Sequence, residues 1–462
     1  MSGLGILPGL WRVIGLVTPM PVLARIAPVL LVLSLTSACT VARTPAPTAP
    51  PSGITRHELA NGVRVVVEGH HASDVVALQL WVSAGGRDEA PAELGLAHYL
   101  EHMLFKGTPA RPSGRIEREV EAVGGRINAA TSFDYTYYHT VLPAPRAADG
   151  VAMLADIAVN ASLEESALEH EKLVVMEEMR LGEDSPRRHL MRHLYTAALE
   201  GHPYGRPVIG TPELIRPLTR DTLLSFYRRH YVPEAFTLVV VGAVQPDVIL
   251  DVAERTFGRL SRSGVRRAPV AASPAPQLRR LEMSRPGRQA YLGLAWLAPK
   301  IDHADTPAVD LLAAILGHGR TARLTQSLRE QLGLVTSITS GYAALEAAGV
   351  VTVTAQLEPA NLARAEAEIL REIARLRDEG PGEAELRRAI TAAEARQEFS
   401  METAEGRASA LGRAETVWRI EEELAYVDRL RAVRLEELRV VARRYLDPDR
   451  YSCITFVPTA RP

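Results

Sequence analysis

His98, Glu101 and His102 share one pentapeptide, His98-Tyr99-Leu100-Glu101-His102, whose residue types and spacing suit metal-assisted hydrolysis. On a helix, positions four apart lie one turn from each other, with Cβ atoms about 5–6 Å apart on one face, so both imidazoles can reach a single ion. Glu101 follows His98 by three residues and borders the same face, where it is placed to take a proton from water at the metal rather than to ligate it. The order is H-x-x-E-H, the inverse of the commoner H-E-x-x-H, and the chemistry is the same. Gly95-Leu96-Ala97 before the motif and Met103-Leu104-Phe105 after it are largely apolar, a setting in which two histidines and a glutamate are costly unless paired or metal-bound.

Zinc takes a third protein ligand and keeps one position open for chemistry. The helical-period segment from Glu171 to Met179 offers Glu171, Glu177 and Glu178. Glu171 and Glu178 are seven apart and share a stripe, whereas Glu177 faces elsewhere, so spacing alone admits either Glu171 or Glu178 as the ligand. The chain has 2 cysteines, Cys39 and Cys453; if Cys39 carries lipid, Cys453 is the only thiol left, which leaves a metal to His and carboxylate donors.

The elements that must position these groups occur twice. Leu223 to Pro233 reads as an amphipathic helix with a basic last turn and a proline stop, followed by the β-branched run Thr237 to Val241; Leu438 to Pro448 and Ser452 to Val457 repeat the pattern about 215 residues later. Val75 to Ala84 and Gln289 to Leu297 read as strands, each followed by an apolar helix, Leu94 to Phe105 and Ala308 to Leu316. Arg126 to Thr131 and Tyr135 to Leu142 read as a hairpin-like strand pair. A duplicated α+β unit accounts for all of this: two tandem homologous domains at 54–262 and 278–460, each a mainly antiparallel sheet with helices, joined by a Pro-containing linker at 263–277.

With 462 residues, two domains are the simplest count. The 53 basic and 55 acidic side chains give a net charge of −2, so nothing points to the phosphate-tracking surface a nucleic-acid binder needs, and no nucleic-acid partner is expected. Arg25, the apolar run from Pro28 to Leu33 and Leu35-Thr36-Ser37-Ala38-Cys39 form the three-part layout of a secretory signal over 1–38, with Met20 as an alternative start. The run is shorter than the about 20 apolar residues of a membrane span. Cys39 after small residues resembles a bacterial lipoprotein processing site, and 39–53, rich in Pro, Ala and Thr, suits a tether. The expectation is a lipid on Cys39 and a membrane-anchored protein facing the periplasm, with the outer membrane favoured because Thr40 rather than Asp follows.

Gly95 to Thr108, Gly125 to Ser132, Glu171 to Glu178 and His202 to Thr211 together resemble the insulinase and pitrilysin-like zinc metallopeptidases, a likeness that extends over about 54 to 460. The resemblance implies a two-domain fold around a substrate chamber, one zinc per chain and hydrolysis of peptides or unfolded segments. In that family the third ligand lies 76 positions after the second histidine, and 178 − 102 = 76, so it selects Glu178 and leaves Glu171 to orient a histidine. It further implies Glu101 as the base and an extended peptide added to the edge of the strand Ile127 to Thr131, at Asn128 and Ala129. It also implies an Arg and a Tyr, seven residues apart, from the second domain. Arg329 is present, but Thr336 stands at the tyrosine position, and Tyr342 is a shifted alternative. A homologous second chain supplying the pair, or a homodimer, is the favoured expectation. A catalytically silent scaffold and a peptide-binding lipoprotein are the competing classes.

Overall fold

The computed structural model describes residues 53–459 apart from 271. The signal, the lipid site at Cys39 and nearly all of the tether lie outside the described residues. Among the described residues no helix is long and apolar enough to cross a membrane.

Among the described residues, eleven strands form two sheets. The first holds β1 (Ile54–Glu58), β2 (Arg64–Gly69), β3 (Val75–Val82), β4 (Arg126–Thr131), β5 (Thr136–Pro143) and β6 (Phe236–Gly242) in the order β1-β2-β6-β3-β5-β4. The second holds β7 (Arg279–Pro286), β8 (Ala290–Ala298), β9 (Val335–Ala344), β10 (Gly349–Leu357) and β11 (Ser452–Thr459) in the order β7-β11-β8-β10-β9. Removing β1 superimposes the two topologies. β2 pairs in parallel with β6 as β7 does with β11, and every other pairing is antiparallel. The chain is therefore a mixed α+β duplication, with β4 and β9 as equivalent edge strands.

The central strand β6, Phe-Thr-Leu-Val-Val-Val-Gly, is buried on both faces, the pattern of a strand covered from two sides. Phe236, Leu238 and Val240 enter a core with Leu100, Met103 and Val175 from the helices Leu96–Leu104 and Glu165–Asp184. Val239 and Val241 face the other way, onto Ala404, Ala408, Leu411 and Ala414 of the helix Ala404–Val417, which belongs to the second half. Gly412 makes this close approach possible, because a Cβ there would stand 2.0 Å from the Trp81 indole nitrogen of β3. The first half returns the exchange. Its helix Pro186–Ala198 lays Leu190, Leu194 and Ala198 on Ala295, Val350, Ile454 and Phe456 of the second sheet.

The two halves thus cover each other's sheets, and the described residues pack as one compact unit. Between the halves, 261–278 contains no helix or strand among its described residues. Arg267 nonetheless fixes this segment, through a bidentate pair of its Nε and Nη2 with Asp88 at 2.9 and 2.7 Å.

Candidate metal and proton-transfer site

The helix Leu96–Leu104 buries Leu96, Tyr99, Leu100, Met103 and Leu104 in the first core, which turns His98, Glu101 and His102 to the opposite side. The long helix Glu165–Asp184 runs against it, pinned by the Tyr99 hydroxyl donating to the Leu168 carbonyl. Glu178 Oε2 then lies 3.4 Å from His98 Nε2 and 3.6 Å from His102 Nε2. The three donor atoms fall within 4.8 Å of one another. Glu177 points to solvent and pairs with Arg180 at 2.6 and 2.9 Å.

Glu171 is buried, and its two oxygens face different partners: Oε2 is 3.0 Å from His102 Nδ1 and Oε1 is 2.6 Å from Lys106 Nζ. With Nδ1 turned toward Glu171, His102 directs Nε2 toward Glu178. Glu101 accepts a hydrogen bond from the Thr131 hydroxyl at 2.5 Å, so the carboxylate beside the histidines is held by the last residue of edge strand β4.

The charges of the site follow from burial and neighbours. Burial pushes the His98 imidazole down to about 4, which favours the neutral form that a metal ligand needs. For His102 burial alone would do the same, but hydrogen bonds to Glu171 and Glu178 outweigh it and raise the group to about 9. Glu178 is held below the usual carboxylate range, first by its contact with His102. Burial raises Glu101 above that range, and the Thr131 hydrogen bond offsets part of the rise. Three carboxylates thus gather around two imidazoles, and the only ion-pair partners of Glu178 among the described residues are those imidazoles. Arg188 acts on Glu178 at longer range, and the two nitrogens and one oxygen that converge here fit a divalent cation of the zinc type.

A cavity of about 190 Å³ opens beside this cluster, lined by Glu178, Met179, Arg188, His189, Arg192 and Ile209 among others. Asn128 and Ala129 lie on β4, whose only sheet partner among the described residues is β5; Asn128 is exposed, and its Oδ1 accepts from the Ala129 amide at 2.9 Å.

The second half's expected residues make bonds of their own within that half. Arg329 is exposed in the helical turn Thr325–Gln331, with its own neighbour Glu330 as ion-pair partner at 3.8 Å. The Thr336 hydroxyl is spent on the Gln356 carbonyl of β10 at 2.9 Å. Tyr342, the shifted alternative, is committed as well: its hydroxyl donates to the Pro299 carbonyl at 2.5 Å. It is a packing residue of the second half.

Three contributors escaped the sequence reading: Thr131, Lys106 and Glu89. Glu89 is 3% exposed and accepts hydrogen bonds from the Gly95 amide at 3.1 Å and the Ala97 amide at 2.8 Å. It caps the start of the histidine helix from outside, and burial pushes its carboxyl up to about 8. The available signal was negative: Gly95 at the N-cap offers no side-chain acceptor, so the cap had to come from elsewhere.

Two family descriptions match the chain, "Insulinase (Peptidase family M16)" over residues 64–212 and "Peptidase M16 inactive domain" over 217–393. An uncharacterized zinc protease of Mycobacterium tuberculosis is 32% identical over 429 residues, covering 90% of this chain and 96% of the relative. The uncharacterized zinc protease YmxG of Bacillus subtilis is 29% identical over 397 residues, covering 86% and 96%. Among solved structures, a protease from Helicobacter pylori superimposes with a TM-score of 0.84 at 23% identity, over 88% of this chain and all of that one, a likeness of fold. The paired histidines with their acid partners lie in the region that matches the insulinase description, and the second half matches the description of the inactive domain; the chain belongs to peptidase family M16.

Proposed function

We propose that this chain is a zinc-dependent endopeptidase acting on extended or unfolded peptide segments, and that it is the zinc-bearing subunit of a two-chain enzyme. The observation that carries the reading is the convergence of His98 Nε2, His102 Nε2 and Glu178 Oε2, with Glu101 on the same helix face. Zinc held by these three groups supplies a Lewis acid for the scissile carbonyl and makes water a nucleophile near neutral pH.

The chain's own residues do the rest. Glu101 takes the proton of the attacking water and returns it to the leaving amine; its raised pKa suits both directions of transfer. Glu171 fixes the ring of His102, and Lys106 fixes Glu171. The free edge of β4 receives the substrate main chain at Asn128 and Ala129, and Thr131 joins that edge to the base. Recognition through the main chain favours extended segments with weak sequence preference.

Glu101→Gln is the decisive variant. It keeps the zinc ligands and should lower kcat on an unfolded test protein by about 10²–10⁴-fold at full zinc content. Normal turnover in that variant would sink the assignment of the base. The two-chain reading rests on Thr336 and Tyr342, whose hydroxyls are both engaged within the second half. It requires a partner carrying the Arg and Tyr to raise the rate of the purified chain; a rate unchanged by such a partner removes it. Export and lipid anchoring through Cys39 remain part of the proposal, tested by whether Cys39→Ala moves the chain from the membrane fraction to the soluble one.

A further inference from the structure

The three consecutive residues Arg87, Asp88 and Glu89 reach three different parts of the molecule. Glu89 bonds the first amides of the helix Leu96–Leu104, at Gly95 and Ala97. Asp88 holds Arg267, from the segment between the halves, in the bidentate pair described above. Arg87, whose side chain is 3% exposed, spans Asp134 at 3.1 Å and Glu346 at 2.8 Å. Glu346 lies in the turn between β9 and β10 of the second half.

Further contacts lock the same junction. Arg267 Nη1 also reaches Glu346 at 3.2 Å, and its Nη2 donates to the Asp134 carbonyl at 2.6 Å. The Glu346 amide donates to Asp134 Oδ2 at 3.2 Å, the Ala347 amide to the Tyr204 hydroxyl at 3.1 Å, and that hydroxyl to Asp134. Two guanidiniums and three carboxylates are thus mutually paired in a setting where losing one member leaves another charge uncompensated. The backbone joins in, because the Gly86 and Arg87 amides donate to the Ser132 and Phe133 carbonyls at 3.0 Å each. Those residues directly follow Thr131, the partner of Glu101.

The helix start has no slack in the other direction. Gly95 adopts φ +95°, and a Cβ there would stand 2.8 Å from Gly210 Cα and from the Ile209 carbonyl oxygen. The helix is therefore bounded by the 209–210 backbone on one side and tied to Glu89 at its amides.

We propose that Arg87-Asp88-Glu89 is a positioning clip: Glu89 sets the start of the histidine helix, Arg87 makes that setting depend on the second half through Glu346, and Asp88 ties it to the segment between the halves through Arg267. The second half then contributes to metal geometry without touching a ligand. Glu89 is a positioning residue, and Glu346 is a distal part of the same device. The functional consequence rests on the reading of His98 and His102 as zinc ligands, whereas the mechanical coupling does not.

The test uses the full chain with two variants and two readouts: zinc affinity by chelator competition, and amide hydrogen exchange over residues 95–97 and 86–87, whose amides make the bonds described above. Glu346→Ala should speed exchange at both segments, leave β2 and β6 protected as in the parent, and weaken zinc by about tenfold, the lower end for changes behind a ligand set. Glu89→Gln, which leaves one of the two amides facing an NH2 group, should weaken zinc at least as much. Should Glu89→Gln fail to fold, Glu346→Ala decides alone, since the Glu346 side chain is 35% exposed. Unchanged exchange at 95–97 in Glu346→Ala, or a loss of protection spread evenly over the chain, overturns the clip. A parent chain that takes up no zinc refutes the metal reading and leaves the exchange comparison to judge the clip.

Discussion

The helix that follows β3 and the helix that follows β8 occupy equivalent places in two sheets of the same topology, yet they carry opposite chemistry. Leu96–Leu104 presents two histidines and a glutamate away from the core, while Thr306–Gly317 is buried at every position but Asp310 and contains neither His nor Glu. The duplication supplies two scaffolds, and the first alone has polar side chains where the long helix Glu165–Asp184 can bring a third donor. Fold and chemistry are therefore separable here: the sheet order fixes where a site can be, and the side chains of one helix decide whether there is one.

The largest expected effect tests that separation. His98→Ala should lower zinc from about one per chain to nearly none by elemental analysis, since two remaining donors make a poor site. Asp310 is the acid of the matching helix; burial raises its carboxyl, and Tyr426 bonds it at 3.3 Å. Asp310→Asn should leave the zinc content intact, and a loss of metal there would break the comparison between the helices.

A second contrast sits on the outer faces of the sheets, where the halves behave alike. Leu194 and Leu411 are both fully buried, each on a helix of one half against the sheet of the other. Leu194→Ala and Leu411→Ala should each cost about 2–5 kcal/mol, the range for emptying a packed leucine site. Both should lower one common unfolding transition followed by calorimetry. Separate melting of the halves in either variant would mean that the exchanged helices do not bind the halves into one cooperative body.

This exchange was the part of the fold least legible in the sequence. The strand runs at 237–241 and 452–457, with their preceding helices, disclosed the duplication because period-2 and period-3.6 patterns are local. Nothing local says which sheet an apolar helix face will cover. The helix Ala404–Val417 meets its sheet mainly through alanines and Gly412, small residues that let backbones approach but leave a weak pattern. The site was legible in the same uneven way. His98, Glu101 and His102 stand out through spacing on one helix, whereas choosing between Glu171 and Glu178 needed either a family likeness or coordinates. Glu89 was invisible because an acid in a loop between Asp88 and Ala90 reads as solvated, and only the path of the chain reveals the amides it serves.

The smallest expected effect compares two threonines on the equivalent edge strands. Thr131 of β4 donates to Glu101, and Thr336 of β9 donates to a backbone carbonyl. A hydrogen bond to a carboxylate favours its charged form, so Thr131→Val removes a contribution that lowers the Glu101 pKa and lets burial raise it further. The base works when ionised, and its acid limb in kcat/KM follows that pKa. In Thr131→Val the limb should move to higher pH, because the hydrogen bond that favours the ionised form is lost while burial remains. The plateau above the limb should fall little and zinc content should hold, which separates a shifted base from a damaged site. Thr336→Val should leave the limb where it is. Equal shifts in both variants would show that the pH profile reports something other than Glu101, and with that the distinction between the two edges would lose its chemical meaning.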